Sequence, residues 1–259
     1  HLGAFIGPGL FAFLNPLFGI SFAFFFNSFT FLVFAGALMA MKLELHDKKD
    51  KNGTSILTDM MDGIRYTYTH IGILAVLAST IVCHLLIRPY IDLLPAFADV
   101  VFNAGENGFA LLAGASGFGS LFGGIWLSFR GKNEGLTRIL CGGILGATVF
   151  LILFSVTKVF VLGMICMVGL GFCLIIMAVA SQSLIQNSVD ATKRARVISL
   201  STGIVVGFPA VGALVLGLFG DFWGVQGPTL IAGVLCLVYS VWAARHLLTQ
   251  SSLLELNPK

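Results

Sequence analysis

The chain has 259 residues, of which 57% are hydrophobic and only 10% charged, and its mean hydropathy is +0.97. A water-soluble domain of this size carries about 25% charged residues, so that class is excluded. The formal net charge of +3 reflects basic residues that mark loops on one side of a membrane, and indicates no nucleic-acid or other anionic partner. The 24 Phe and 31 Gly fit a polytopic membrane protein, because Gly is over-used where membrane helices pack closely.

In chain order, residues 2–14 form an apolar segment shorter than the ~20 residues a crossing needs. It reads as the end of a helix whose start lies upstream of His1, and the chain as a fragment. Asn15-Pro16 makes a turn, and residues 17–41 are long enough to span, interrupted by Asn27 and Ser28. Residues 42–53 are the long polar stretch. After it, Ile56, Leu57, Met60, Met61, Ile64 and Tyr68 recur at helical spacing over 55–69, which predicts an amphipathic helix lying along the membrane surface. Six further spans are expected at 70–95, 106–129, 136–156, 159–186, 197–219 and 228–247, followed by a polar tail over 248–259.

The stretch 79–95 holds the charges that lie deepest in any apolar run. His84, Arg88 and Asp92 follow each other at i, i+4 and i+8, on one face of a helix. Pro89 lies among them, and a proline there removes a backbone hydrogen bond and kinks the helix. Ionisable groups at membrane depth face a protein interior or a wet cavity. Arg88 and Asp92 are therefore candidates for a gate or a coupling pair, and His84 for a proton relay, its unperturbed pKa of about 6.5 being in range. Glu106, at the start of the next span, is a further coupling candidate or a helix cap. Asn27, Gln182 and Gln186 are uncharged polar groups inside spans, and are candidates to line a cavity or to bond across helices.

Orientation follows from Lys and Arg. With the 42–69 linker placed in the cytoplasm, five basic residues fall in the linker, three around 130–138, three in 193–196, and Arg245 and Lys259 at the end. Thirteen of the 15 thus share one side, and Arg88 and Lys158 tend to the other, as the positive-inside rule requires. Gly3-x-x-x-Gly7, Gly119-x-x-x-Gly123, Gly142-x-x-x-Gly146 and Gly203-x-x-x-Gly207 would each allow close helix approach.

Two spans, a charged linker with an amphipathic helix, and six more spans resemble a twelve-helix major facilitator protein cut inside its fifth helix. The motifs carry the same resemblance. Gly3-x-x-x-Gly7-Pro8 is similar to the fifth-helix motif of the family's antiporters, with Phe11-Ala12 in place of a Gly pair. Gly124, Gly131 and Lys132 match the motif between the eighth and ninth helices, with Ser128 where an Asp is usual. Arg194-Ala195-Arg196-Val197 resembles an Arg-Gly-Arg-Val stretch of the enterobactin-exporter-like branch, the transmembrane secretion effectors. Phe25-Phe26-Asn27-Ser28-Phe29 and Arg88-Pro89…Pro95-Ala96 resemble the sixth and seventh helices of that branch.

The resemblance implies an all-α membrane fold: the C-terminal six-helix bundle over 70–247, with about two helices of the N-terminal bundle over 1–41. It implies alternating access, a monomer in a bacterial inner membrane with linker and tail cytoplasmic, and protons and an amphipathic small molecule, drug-like or siderophore-like, as partners. Gly7, Pro8, Gly124, Gly131, Lys132, Arg194 and Arg196 are the conformational candidates it carries over. A lipid or lysolipid flippase of the same fold is the alternative function. A membrane enzyme or a scaffold is disfavoured, since residues 59–65 hold no His/Asp/Glu cluster, and no phosphate-binding Gly-x-x-x-x-Gly-Lys-Ser/Thr loop appears. The five Cys lie inside apolar runs without a Cys-x-x-Cys pair, and read as small hydrophobes. No cofactor or metal is expected.

Overall fold

The computed structural model describes residues 25–39, 56–130, 134–249 and 255. Apolar runs bounded by Gly, Pro and charge give α1 (Phe25–Met39) and α2 (Ile56–Thr69), α3 (Ile71–Leu86) and α4 (Tyr90–Ala96). The bundle continues with α5 (Gly105–Arg130), α6 (Leu136–Val156), α7 (Phe160–Ser188), α8 (Ala191–Trp223) and α9 (Gln226–Thr249). Among the described residues there is no strand. Six stretches are long and apolar enough to cross a membrane, the first running from Ile71 to Val101. The six spans expected after the linker coincide with these stretches to within a few residues, the first running six residues past its expected end at 95, while the span expected at 17–41 is described only over 25–39, as α1.

That first span is broken where the sequence placed Pro89. The amides of Ile87 and Arg88 both donate to the Cys83 carbonyl, at 2.9 and 3.0 Å, and helix resumes at Tyr90. Proline has no N–H, so the Leu85 carbonyl loses its helical donor. Gly212 of α8 occupies the space beside it: a Cβ there would collide with the Leu85 carbonyl and the Pro89 ring. A second proline, Pro95, lies inside α4, and a wide π-type turn over Phe97–Val101 follows it. The chain then reverses through Asn103 and Gly105, both with positive φ.

Glycine sets the closest helix pairs. A Cβ on Gly119 would meet the Val168 carbonyl, and one on Gly171 the Ser116 carbonyl, so α5 and α7 touch backbone to backbone. The Ser120 hydroxyl donates across that seam to the Gly171 carbonyl at 3.1 Å. In α6 the contact is made by Gly143 and Gly146, against Cys173 and Met177, while Gly142 has open space where a Cβ would go. Gly203, Gly207 and Gly124 are open too. Gly3 and Gly7 lie outside the described residues. Short polar side chains stitch the remaining seams, as expected where apolar association has no water to exclude. Tyr90 and Ser116 join α4 to α5 at 2.7 Å, and Ser79 and Tyr239 join α3 to α9 at 3.1 Å. Thr148 of α6 donates to the Cys236 sulfur at 3.3 Å.

α2 occupies the predicted amphipathic segment, and the face it turns to the bundle is its small and polar one. Gly63 lies against Arg196 at the start of α8, and Thr67 is buried. Met61 and Tyr68, members of the predicted apolar stripe, stay exposed, as suits a helix lying in an interface plane.

Candidate functional site

The helices enclose a cavity of ≈ 160 Å³ between α3, α6, α7 and α8. Its apolar wall is Leu140, Ile144, Met177, Ala178 and Val205, and its polar wall is Ser79, Thr80, His84, Ser181, Gln182 and Ser201. Several of these groups are already engaged. Thr80 donates to the Val76 carbonyl at 2.9 Å and meets the Ser181 hydroxyl at 3.0 Å. Ser79 is held by the Ala75 carbonyl and Tyr239.

His84 is buried, and its Nδ1 lies 2.8 Å from the Thr80 carbonyl. A carbonyl only accepts, so Nδ1 carries the hydrogen. Nε2 then holds the lone pair. Among the described residues it has no protein partner, nor do the Gln182 amide and the Ser201 hydroxyl. The cavity therefore offers one strong acceptor, one amide and one hydroxyl, and its lining contains no carboxylate.

The other sequence candidates are distributed elsewhere. Arg88 lies one turn beyond His84, half-buried and outside the lining, and Asp92 is exposed. No ion pair joins them, because the break at Ile87–Pro89 interrupts the helix that would have stacked them. Gln182 lines the cavity, whereas Gln186, a turn further on, is exposed. Asn27 is exposed on α1, where its carbonyl accepts from Thr30 at 2.7 Å. Glu106 faces a second cavity of ≈ 560 Å³, with Asp99, Pro95 and Phe109. Gly7, Pro8, Gly131 and Lys132 lie outside the described residues.

Arg194 and Arg196 separate in role. Arg196 Nη1 donates to Asp62 of α2 at 2.8 Å, and Arg194 donates to the Val189 carbonyl at 3.4 Å. Beside them the Tyr66 hydroxyl donates to the Asp190 carboxylate at 3.2 Å. Burial, and after it the neighbouring Asp190 carboxylate, raises the Tyr66 phenol above its ordinary pKa. Ser79, Thr80, Ser181 and Ser201 escaped the sequence reading. Single hydroxyls in apolar helices usually bond their own backbone, so only the tertiary arrangement distinguishes these four.

Six apolar spans packed through glycine and hydroxyl contacts define an all-α polytopic membrane protein. The chain belongs to the transmembrane secretion effector family of the major facilitator superfamily (MFS), whose family model matches residues 2–259. It is similar to an uncharacterised MFS-type transporter, YfmI of Bacillus subtilis (strain 168), at 27% identity over 155 residues. That alignment covers 59% of this chain, and the chain spans 38% of the relative's length. No solved structure matches the chain.

Proposed function

We propose that this chain forms part of a secondary transporter that exports amphipathic small molecules by alternating access in exchange for protons. In this reading the membrane is a bacterial cytoplasmic membrane, with linker and tail on the cytoplasmic face. The observation that carries the reading is the cavity between α3, α6, α7 and α8, where His84, Gln182 and four hydroxyl side chains face an otherwise apolar wall. A polar chamber of this kind is costly in a membrane bundle unless something occupies it. Family membership supports transport as the activity. At ≈ 160 Å³ the cavity is smaller than the ~300–1,000 Å³ of drug-sized sites, so it receives one end of a larger molecule. The junction of Pro89 with Gly212 supplies a place for α3 and α8 to bend without unpacking.

The test uses the full-length protein in proteoliposomes with an imposed pH gradient and a fluorescent amphipathic dye. Dye movement that follows the gradient and stops when the gradient is collapsed is the expected result. His84→Phe should lower the initial rate about a hundredfold or more, the range contributed by a positioned proton-transfer group. Loss of efflux in a folded Asp92→Asn variant would place that carboxylate in the gate, and retention would make it structural, with coupling elsewhere. Dye movement indifferent to the gradient would refute the proton-coupled reading.

A further inference from the structure

Away from the cavity, the first turn of α6 holds an anion supplied by the chain itself. Successive spans alternate in direction, so α5 ends and α6 begins at the end of the bundle where α2 leads into α3. There the amides of Gly135 and Thr137 donate to the Glu255 carboxylate at 2.7 and 3.0 Å, one to each oxygen. The Arg138 guanidinium adds its charge from the exposed side.

The carboxylate leaves part of this donor set unused. Two further buried groups have no hydrogen-bond partner among the described residues, Arg130 Nη1 and the Thr137 hydroxyl. Thr137 is 0% exposed. Its hydroxyl lies near enough to Glu255 to help hold the carboxyl down, yet makes no hydrogen bond of ordinary geometry. Arg130 is set beside Gly135: its Nη2 donates to the Glu134 carbonyl at 2.6 Å, and a Cβ on Gly135 would meet the same nitrogen. Buried donors left unmet cost free energy, so a site with two of them is shaped for more acceptors than a carboxylate brings. Two arginines and a helix N-terminus also offer more positive charge than one carboxylate neutralises.

We infer that the start of α6 is a binding site for a phosphate monoester, and that Glu255 is its internal competitor. The dianion brings three terminal oxygens, enough for the two amides and for the Arg130 and Thr137 donors that the carboxylate leaves open. Glu255 is half-buried, so the site reaches the surface and the tail can give way to a ligand. The phosphate comes from a lipid headgroup or from a soluble ester, since both present the same group.

The experiment measures binding of glycerol 3-phosphate to the full-length protein in phosphatidylcholine nanodiscs by calorimetry, at neutral pH and fixed ionic strength, with empty nanodiscs subtracted. Glu255→Ala should bind about tenfold more tightly than wild type, because the competing carboxylate is gone. Glu134→Ala removes the same charge from an exposed side chain that makes none of these contacts, and should change affinity by no more than about twofold. In the Glu255→Ala background, Thr137→Val and Arg130→Gln should each weaken binding about tenfold, the scale of one buried hydrogen bond.

Replacing part of the phosphatidylcholine by phosphatidic acid, with phosphatidylserine as the charged control, separates the two sources. Loss of glycerol 3-phosphate binding with phosphatidic acid alone supports the site and assigns it to a lipid headgroup. Unchanged binding supports the site and assigns it to a soluble ester. No binding by Glu255→Ala, an equal gain in Glu134→Ala, or binding indifferent to both Thr137→Val and Arg130→Gln in folded protein would overturn the inference.

Discussion

At the scale of single residues, the least obvious contact is made by Glu255. Its carboxylate accepts from the Gly135 amide at 2.7 Å and the Thr137 amide at 3.0 Å, which caps the first turn of α6 from the far end of the chain. Helix N-termini leave such donors unsatisfied and favour an anion. Burial alone would push the Glu255 carboxyl up, but the two N–H donors and the Arg138 guanidinium outweigh it and hold the pKa below the ordinary value. A carboxylate with a lowered folded pKa contributes stability above its unfolded pKa of about 4.3 and loses it as pH falls through the lower folded value. Protection of the Thr137 amide, taken relative to its intrinsic exchange rate at each pH, should therefore be high at pH 6 and fall in acid as the lowered Glu255 pKa is crossed. In Glu255→Gln the protection should be lower at pH 6 and lose that acid dependence. His84 belongs to the same scale: a backbone carbonyl fixes its tautomer, which decides the side of the ring the cavity meets.

At the scale of elements, glycine position decides which helices touch. Gly171→Ala should cost about 1–3 kcal/mol in unfolding measurements in micelles, because the added methyl meets the Ser116 carbonyl and cannot be absorbed by a side-chain shift. Gly203→Ala, where the space is open, should change stability by no more than about 0.5 kcal/mol. Equal effects would mean that the α5–α7 seam is looser than its backbone contacts indicate. The docking of α2 is of a different kind. The Arg196 and Asp62 side chains are 28% and 45% exposed, so their ion pair contributes no more than about 1 kcal/mol. Tyr66 adds a hydrogen bond to Asp190 at the same junction. Tyr66→Phe combined with Arg196→Ala should raise the rate of limited trypsin cleavage at exposed Arg65 several-fold, with α3 to α9 intact. The raised Tyr66 pKa means that this docking is complete below pH 10 and weakens as pH rises through the folded value.

At the scale of the whole molecule, the described residues line a cavity around His84 and another that includes Glu106 and Asp99. Orientation can be measured directly in cells. A cysteine introduced at Lys158, in a background without the five native Cys, should react with a membrane-impermeant maleimide added outside. One at Arg138 should react only after permeabilisation. Labelling at Arg138 from outside, with Lys158 reactive only after permeabilisation, would reverse the assigned inner face.

The sequence alone determined that six spans follow a linker helix, where they begin, and that Pro89 interrupts the first of them. These are local properties: apolar length against bilayer thickness, charge against the hydrocarbon core, and a missing N–H. It also brought out His84 and Gln182, because polar groups are conspicuous in apolar runs. It could not tell Gln182 from Gln186, or Gly143 from Gly142, since in an almost wholly apolar helix the facing side is set by the neighbours. Spacing puts Arg88 and Asp92 on one face with Pro89 between them, and at the break that the proline causes no ion pair joins them. Only the tertiary structure gathered Ser79, Thr80, Ser181 and Ser201 around His84. Hydrogen bonds between helices distant in sequence decide which hydroxyls are engaged, and the close approach permitted by glycine decides where the space between helices remains.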